Sequence, residues 1–428
     1  MNIMTAEQFR AEKNSLSDAT VNNAKLDKTV LDIIQNVRES GDAALFHYTE
    51  KFDGVQLGQL TVSQEEFLEA EETVSDTFMT ALEQARENIA AFHENQKEKS
   101  WFTNRADGVM LGQQVNPLEK AGIYVPGGKA AYPSTVLMNV IPAKLAGVGK
   151  ICITTPPGPD GKISPEVLVA AKLAGVDKVY KLGGAQAIAA LAYGTESIEK
   201  VAKIVGPGNA FVARAKKWVY GDVAIDMIAG PSEICVVADE TAQPEFAAAD
   251  LLSQAEHDEQ ARSICITTNR VLAEKISESV SSQTGQLERK AIIEKSLEAN
   301  GKIIIADTLS EAFDVVNEIA PEHLQLMIEN PAEKLGTIQN AGAIFLGNYA
   351  PEPLGDYFAG PNHTLPTSGT AVFSSPLGVY DFVKKSSIIQ YSRQALQEAS
   401  DSIITLANAE GLTAHANSIL IRRDVNDA

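Results

Sequence analysis

The last four of the six histidines stand beside groups that can ligate a metal or move a proton. They are His257 in Gln254-Ala-Glu-His257, His323 directly after Glu322, His363 downstream of Asp356, and His415 downstream of Glu410. Imidazoles, carboxylates and an amide are the groups of metal coordination and of acid–base catalysis near neutral pH. They come from distant segments that only folding can join, which suggests an enzyme site rather than a binding scaffold.

Gln254 and His257 lie three residues apart on an expected helix, so they share a face and can share one ligand, while Glu256 points elsewhere. Gln is an uncommon zinc ligand, and spacing alone leaves a metal and an exposed helix end as alternatives. Asp356 falls in a Pro- and Gly-rich loop between Tyr349 and Gly369, too long for a plain connection, and such loops carry function. Glu322 and His323 follow Pro321 and open an apolar run over 324–328. An adjacent carboxylate and imidazole can divide acid and base roles, provided an irregular turn lets both face a cleft. His415 with Glu410 gains weight only from the company of the others. His47 and His93 sit on helices expected to be charged outside, and they are placed outside the site.

The elements that must position these groups follow from periodicity. Residues 26–39 and 65–98 carry apolar side chains at helical spacing, and Gly41 and Asp53-Gly54 mark stops or turns. From Gly122 to Gly230 short β-branched runs alternate with Ala-rich helices, which predicts a parallel α/β sheet. An internal repeat supports this: 143–151 reads AKLAGVGKI and 171–179 reads AKLAGVDKV, each a helix stop followed by a buried strand. Strands are expected at 151–155, 179–182 and 203–205, with a helix over 209–220. A second series follows: strand 234–238, helix 244–257, strand 263–268, two helices to Asn300, strand 302–306 and helix 309–319. Beyond Tyr380 the pattern is helical to the end.

The fold expected is α/β, with two doubly wound, incomplete Rossmann-like domains, an N-terminal helical region and a small helical C-terminal tail. Residues 1–121 with 233–380 would form one domain, 122–232 an inserted domain and 381–428 the tail. The tail fits neither sheet. A chain of 428 residues supports more than one core. Its 36 basic and 56 acidic residues give a net charge of −20, which argues against nucleic acid and anionic lipid as partners. Three cysteines are too few for a disulfide framework or a Cys-based zinc site; Cys152 and Cys235, inside apolar strands, are expected to be buried and inert. Neither a signal peptide nor an apolar run of about 18 residues occurs, so a soluble, cytoplasmic protein is expected.

No Gly-x-Gly-x-x-Gly is present, since Gly206-Pro-Gly208-Asn-Ala-Phe211 carries Phe at its last position. Three Gly-rich turns nonetheless precede helices, at Pro126-Gly-Gly128, Gly183-Gly184-Ala-Gln186 and Gly206-Pro-Gly208-Asn209. Backbone amides and helix N-termini at successive strand ends favour a nucleotide or phosphate cleft.

Together these segments resemble the L-histidinol dehydrogenase family. The motifs are Gly122-Ile-Tyr-Val-Pro-Gly-Gly128, Gly183-Gly-Ala-Gln-Ala-Ile-Ala-Ala190, Gly206-Pro-Gly-Asn209, Ala229-Gly-Pro-Ser-Glu233, Leu251-Leu-Ser-Gln-Ala-Glu-His257, Pro321-Glu-His323, Gly355-Asp-Tyr357, Asn362-His363 and Leu412-Thr-Ala-His415. Gly41-Asp-Ala-Ala-Leu45 and Lys51-Phe-Asp-Gly54 fit as well, so the resemblance covers essentially the whole chain. It implies a zinc-dependent, NAD-linked enzyme that oxidises L-histidinol through L-histidinaldehyde to L-histidine, using two NAD in turn. It implies Gln254, His257, Asp356 and His415 as zinc ligands and Glu322 and His323 as the acid/base pair. It further implies Tyr124, Gln186 and Asn209 as NAD contacts. Ser232, His363 and Glu410 become substrate contacts, beside His323 and the zinc ligands Gln254, His257, Asp356 and His415. The implied assembly is a homodimer whose C-terminal segment reaches the partner's site. A zinc hydrolase and a non-catalytic small-molecule binding protein are the competing readings; paired Glu322 and His323 speak against the latter.

Overall fold

Short runs of Val and Ile become strands, and the Ala-rich stretches between them become helices, in the computed structural model, which describes residues 1–16, 24–127 and 131–423. Gly128 of the first Gly-rich turn and the final stretch 424–428 of the tail lie outside the described residues. In chain order the strands are β1 (Asn2–Thr5), β2 (Trp101–Asn104), β3 (Met110–Pro117), β4 (Lys120–Tyr124), β5 (Lys150–Thr155), β6 (Lys178–Lys181), β7 (Lys203–Val205), β8 (Ala224–Ile225), β9 (Glu233–Ala238), β10 (Arg262–Thr267), β11 (Lys302–Ile305), β12 (His323–Met327), β13 (Ala343–Leu346) and β14 (Val383–Gln390). The helices are α1 (Ala6–Leu16), α2 (Ala24–Asp53), α3 (Gln64–Thr73), α4 (Asp76–Glu94), α5 (Pro133–Ala146), α6 (Pro165–Ala174), α7 (Gly184–Tyr193), α8 (Ala210–Val219), α9 (Pro244–Ala255), α10 (Arg270–Thr284), α11 (Lys290–Asn300), α12 (Leu309–Ile319), α13 (Glu352–Tyr357), α14 (Arg393–Ala409) and α15 (Thr413–Arg423).

Two parallel sheets carry the same winding. The first runs β6-β5-β4-β7-β8, and Ala121 in its central strand pairs with Ile151 on one side and Lys203 on the other. The second runs β1-β11-β10-β9-β12-β13, all parallel. In each the chain winds outward from a central strand, β4 or β9, then returns to wind the other way, which creates a switch point beside that strand. The α/β class with doubly wound parallel sheets is thus the observed fold.

Apolar helix faces cover both sides of each sheet. On the first, Ile89, Leu137, Val140 and Leu168 build one core layer, and Val30, Leu45, Ile188, Leu191 and Val212 the other. The early helices therefore pack on the first sheet, α2 against α7 and α8, α3 against α6, and α4 against α5. Among the described residues of the N-terminal region only β1 and α1 join the second sheet, whereas the sequence groups all of 1–121 with 233–380. The reason is that the apolar stripes of α2 and α4 match the apolar outer faces of α5, α7 and α8.

Three local expectations differ. The helical run over 65–98 is two helices, because Ser75 accepts the Phe78 N–H through Oγ and starts α4 anew. Gly41 does not end its helix but kinks it, at φ 53°. The run after Tyr380 begins as strand β14 rather than helix.

The chain forms two compact units: Met1–Gln96 with Leu118–Phe382, and Lys97–Pro117 with the described residues from Val383 on. The second unit holds an antiparallel sheet β14-β3-β2, in which Val383 pairs with Pro117 and Gln390 with Met110. Its helices α14 and α15 pack on each other, and Ser392 caps α14 through Oγ while donating to the Asp107 carbonyl. Among the described residues no helix is long and apolar enough to cross a membrane.

Candidate active site

Parallel pairing sets His323, the first residue of β12, opposite Ile234, one residue past Glu233 at the start of β9. The Glu233 N–H donates to Glu322 Oε2 at 2.8 Å, and the His323 Nδ1–H donates to the Glu233 carbonyl at 3.0 Å. Glu322 Oε2 stands 3.8 Å from His323 Nδ1. The Glu233 backbone therefore holds both side chains, one through its N–H and the other through its carbonyl. Both are buried, and His323 Nε2 has no hydrogen-bond partner within the protein.

Nε2 looks towards α13, where Asp356 Oδ1 lies 3.7 Å away. Gly355 lets this short helix settle on Phe345 of β13, since a Cβ there would lie 2.6 Å from the ring. Asp356 and Glu352 are one helical turn apart and face the same way. Glu352 is 1 % exposed and accepts from Ser253 Oγ on α9 at 2.9 Å. One ligand atom each from His257, Glu352 and Asp356 lies within 4.8 Å of the others.

Helix α9 ends at Ala255, two residues short of the expected His257. Gln254 faces inward from its last turn, 0 % exposed with neither amide atom partnered. His257 follows in a turn, its N–H on the Gln254 carbonyl, and reaches the rim of the cluster with an exposed side chain. A buried amide without partners costs roughly 1–3 kcal/mol, so its presence argues for a ligand that satisfies it. That orphaned amide, beside an imidazole and two carboxylates, fits a zinc-type donor set.

The charges here are strongly perturbed. Burial pushes the Glu322 carboxyl up. Burial alone would lower His323, but Glu322, Asp356 and Glu352 outweigh it and hold the ring well above its ordinary value. Asp356 is raised by burial yet ends below the ordinary carboxylate range, chiefly because His323 and His363 face it. Glu352 is raised by burial and by Asp356. Burial lowers His257 and His363.

His363 links the two sheets. Its Nδ1–H donates to the Asp356 carbonyl at 3.0 Å, and Nε2 lies 3.4 Å from Thr135 Oγ1 near the start of α5. Ser232 precedes Glu233 in a half-buried loop, its carbonyl accepting from Arg262 N–H. Ser368, at φ 56°, closes that loop by donating its N–H to Glu233 Oε1.

The three Gly-rich turns follow β4, β6 and β7, so they share the C-terminal edge of the first sheet. The Tyr124 hydroxyl accepts from Gly184 N–H at 3.1 Å, and the ring is buried. Gln186 is buried with Oε1 unpartnered. Asn209 is exposed and caps α8, its Oδ1 accepting from Phe211 and Val212 N–H. At Gly206, φ is 113° and a Cβ would lie 2.1 Å from the Tyr124 carbonyl oxygen. Backbone this close at Gly206, with the orphaned Gln186 amide oxygen beside Gly184 at the neighbouring turn, makes a cradle that suits a dinucleotide.

The structure thus gathers Glu322, His323, Gln254, His257, Asp356 and His363. Glu410, the C-cap of α14, and His415, in the first turn of α15, belong to the second unit, both exposed. Cys152, Cys235 and Cys265 are free and buried, and burial pushes the Cys152 thiol up to about 12. Sequence reasoning missed Glu352, Glu233 and Thr135. The signal for Glu352 was its place four residues before Asp356, hidden between Pro351 and Pro353.

Known proteins resemble this chain along its whole length. Residues 16–423 match the model of the histidinol dehydrogenase family. A histidinol dehydrogenase of Oceanobacillus iheyensis is 58% identical over 428 residues, covering 100% of both chains. One of Clostridium acetobutylicum is 58% identical over 400 residues, covering 94% of this chain and 93% of that one. The crystal structure of histidinol dehydrogenase from Elizabethkingia anophelis superposes with TM-score 0.93 at 41% identity, over 99% of this chain and 98% of that one. With its fold, its motifs and its full length accounted for in this way, the chain belongs to the histidinol dehydrogenase family.

Proposed function

We propose that the protein catalyses the NAD-dependent, four-electron oxidation of L-histidinol through L-histidinaldehyde to L-histidine, in histidine biosynthesis, with zinc holding the substrate. The observation that carries this reading is the juxtaposition of a buried Glu322–His323 pair with the unpartnered Gln254 amide and Asp356. When bound, zinc supplies a Lewis acid that fixes the substrate, and NAD accepts a hydride in each of the two oxidations.

Gln254, His257 and Asp356 would hold the zinc, together with His415 of the partner subunit. Tyr124, Gln186 and Asn209 would line the cofactor cleft. His323 is the base. Because Nδ1–H is committed to the Glu233 carbonyl, Nε2 carries the free lone pair and takes the alcohol proton. It can do so once a cation neutralises the acids that raise its pKa. Glu322, with one oxygen held by the Glu233 N–H, keeps the other for the water that hydrates the aldehyde. Ser232 and His363, with Glu410 of the partner subunit, would orient the substrate. The N-terminal edge of the second sheet would thereby receive substrate, and the C-terminal edge of the first would receive cofactor.

The protein would act in the cytoplasm as a homodimer with shared sites. The test is zinc-loaded, folded protein with histidinol and NAD, read by absorbance of reduced cofactor. Two reduced cofactors per histidinol, lost on chelation and restored by zinc, are expected. A flat trace would sink the proposal.

A further inference from the structure

The zinc ligands proposed above leave out Glu352, the most deeply buried acid of the cluster. Its carboxylate shares a 4.8 Å sphere with His257 and Asp356 ligand atoms. Zinc–ligand bonds of about 2.0–2.2 Å put donors at most about 4.4 Å apart across the ion, so small side-chain adjustments would bring all three onto one cation. Among the described residues, no lysine or arginine lies within ion-pair range of Glu352 or Asp356. The Ser253 hydroxyl, shared with the Asp250 carbonyl, and histidine stand beside these two carboxylates, which lie one turn apart within hydrogen-bond reach of each other. Such a pair persists in a fold when something of opposite charge sits between them.

We propose that Glu352 is itself a metal ligand, binding through a carboxylate oxygen beside His257 and Asp356 in the substrate-free enzyme. This rests on the reading that the cluster holds the catalytic zinc. The ligand set becomes rich in oxygen, with one imidazole, two carboxylates and the Gln254 amide from a single chain. It suits zinc, and also cobalt or manganese.

The test compares the full-length wild type with Glu352→Gln. Zinc affinity is measured by competition with a chromophoric chelator, and the cobalt-loaded protein gives its absorption spectrum without substrate or NAD. A lost ligand weakens zinc by more than the roughly 10–100-fold typical of an outer partner and alters the cobalt spectrum. A smaller loss with an unchanged spectrum makes Glu352 an orienting group and overturns the proposal, as does unchanged affinity. If the amide variant does not fold, Glu352→Asp carries the test. Keeping the charge but shortening the reach, it should weaken zinc and shift the spectrum; no change in either overturns the idea. A wild type that binds no zinc overturns both readings at once, which separates that failure from this one.

Discussion

His323 has two ring nitrogens with different duties, and each can be tested by substitution. In His323→Asn the Nε2 base is gone, while a side-chain amide can still donate to the Glu233 carbonyl. We expect kcat to fall by about 10²–10⁴ with KM nearly unchanged and the melting temperature kept, as read by steady-state kinetics and thermal melts. A second residue reports through pH. Burial raises the Asp53 carboxyl to about 6, and its Oδ2 has no partner. The folded state then holds a proton that the unfolded chain releases, so this contribution is full below the ordinary carboxylate pKa and lost as pH rises through about 6. Asp53→Asn should match the wild type near pH 4 and exceed it at pH 8. The gain would be about 1 kcal/mol after discounting for solvent screening, read by urea denaturation at both pH values. Much of the site was legible because histidine beside Glu, Gln or Asp is chemically loud. Glu352 was silent because its meaning depends on a short helix that two prolines disguise.

At the scale of elements, the Gly-rich turn after β7, proposed to face the cofactor, is held by a buried ion pair. The buried Lys216 donates from Nζ to the Gly206 carbonyl and pairs with Asp226, whose Oδ2 accepts the Gly206 N–H. Lys216→Met would leave Asp226 as an uncompensated buried charge. We expect a loss of about 3–5 kcal/mol in urea denaturation, with NAD binding weakened alongside. The main strands were readable because full burial leaves continuous Val and Ile runs, as in β5, β9 and β10. Strands β2 and β14 were not, because neither buries a full face. Trp101–Asn104 is exposed throughout and Val383–Gln390 nearly so, and the alternation that marks a strand is absent.

For the whole molecule, the prediction concerns subunits. If His415 serves the partner's site, mixing His323→Asn and His415→Asn chains gives hybrid dimers in which one site is fully wild type. With random exchange half the dimers are hybrids, so about a quarter of wild-type activity should appear. Activity staying at the level of the separate mutants after demonstrated exchange would place His415 on its own chain's site. The doubly wound class was legible in the alternation of strand and helix, and in the repeat that spans α5–β5 and α6–β6. The packing of α2 and α4 on the first sheet was not, since an amphipathic stripe does not name the surface that covers it.

The pairing of β3 with β14 has a consequence for how the chain is made. Pro117 meets Val383, so the β2–β3 hairpin leaves the ribosome 266 residues before its third strand exists. At roughly 5–20 residues per second, its edge waits about 13–53 s for a partner. During that wait an unpaired strand edge is open to association with other nascent chains. Slowing translation or removing holdase chaperones should therefore harm the yield of this small unit more than that of the first parallel sheet, whose most distant pairing, β4 with β7, joins Ala121 to Lys203.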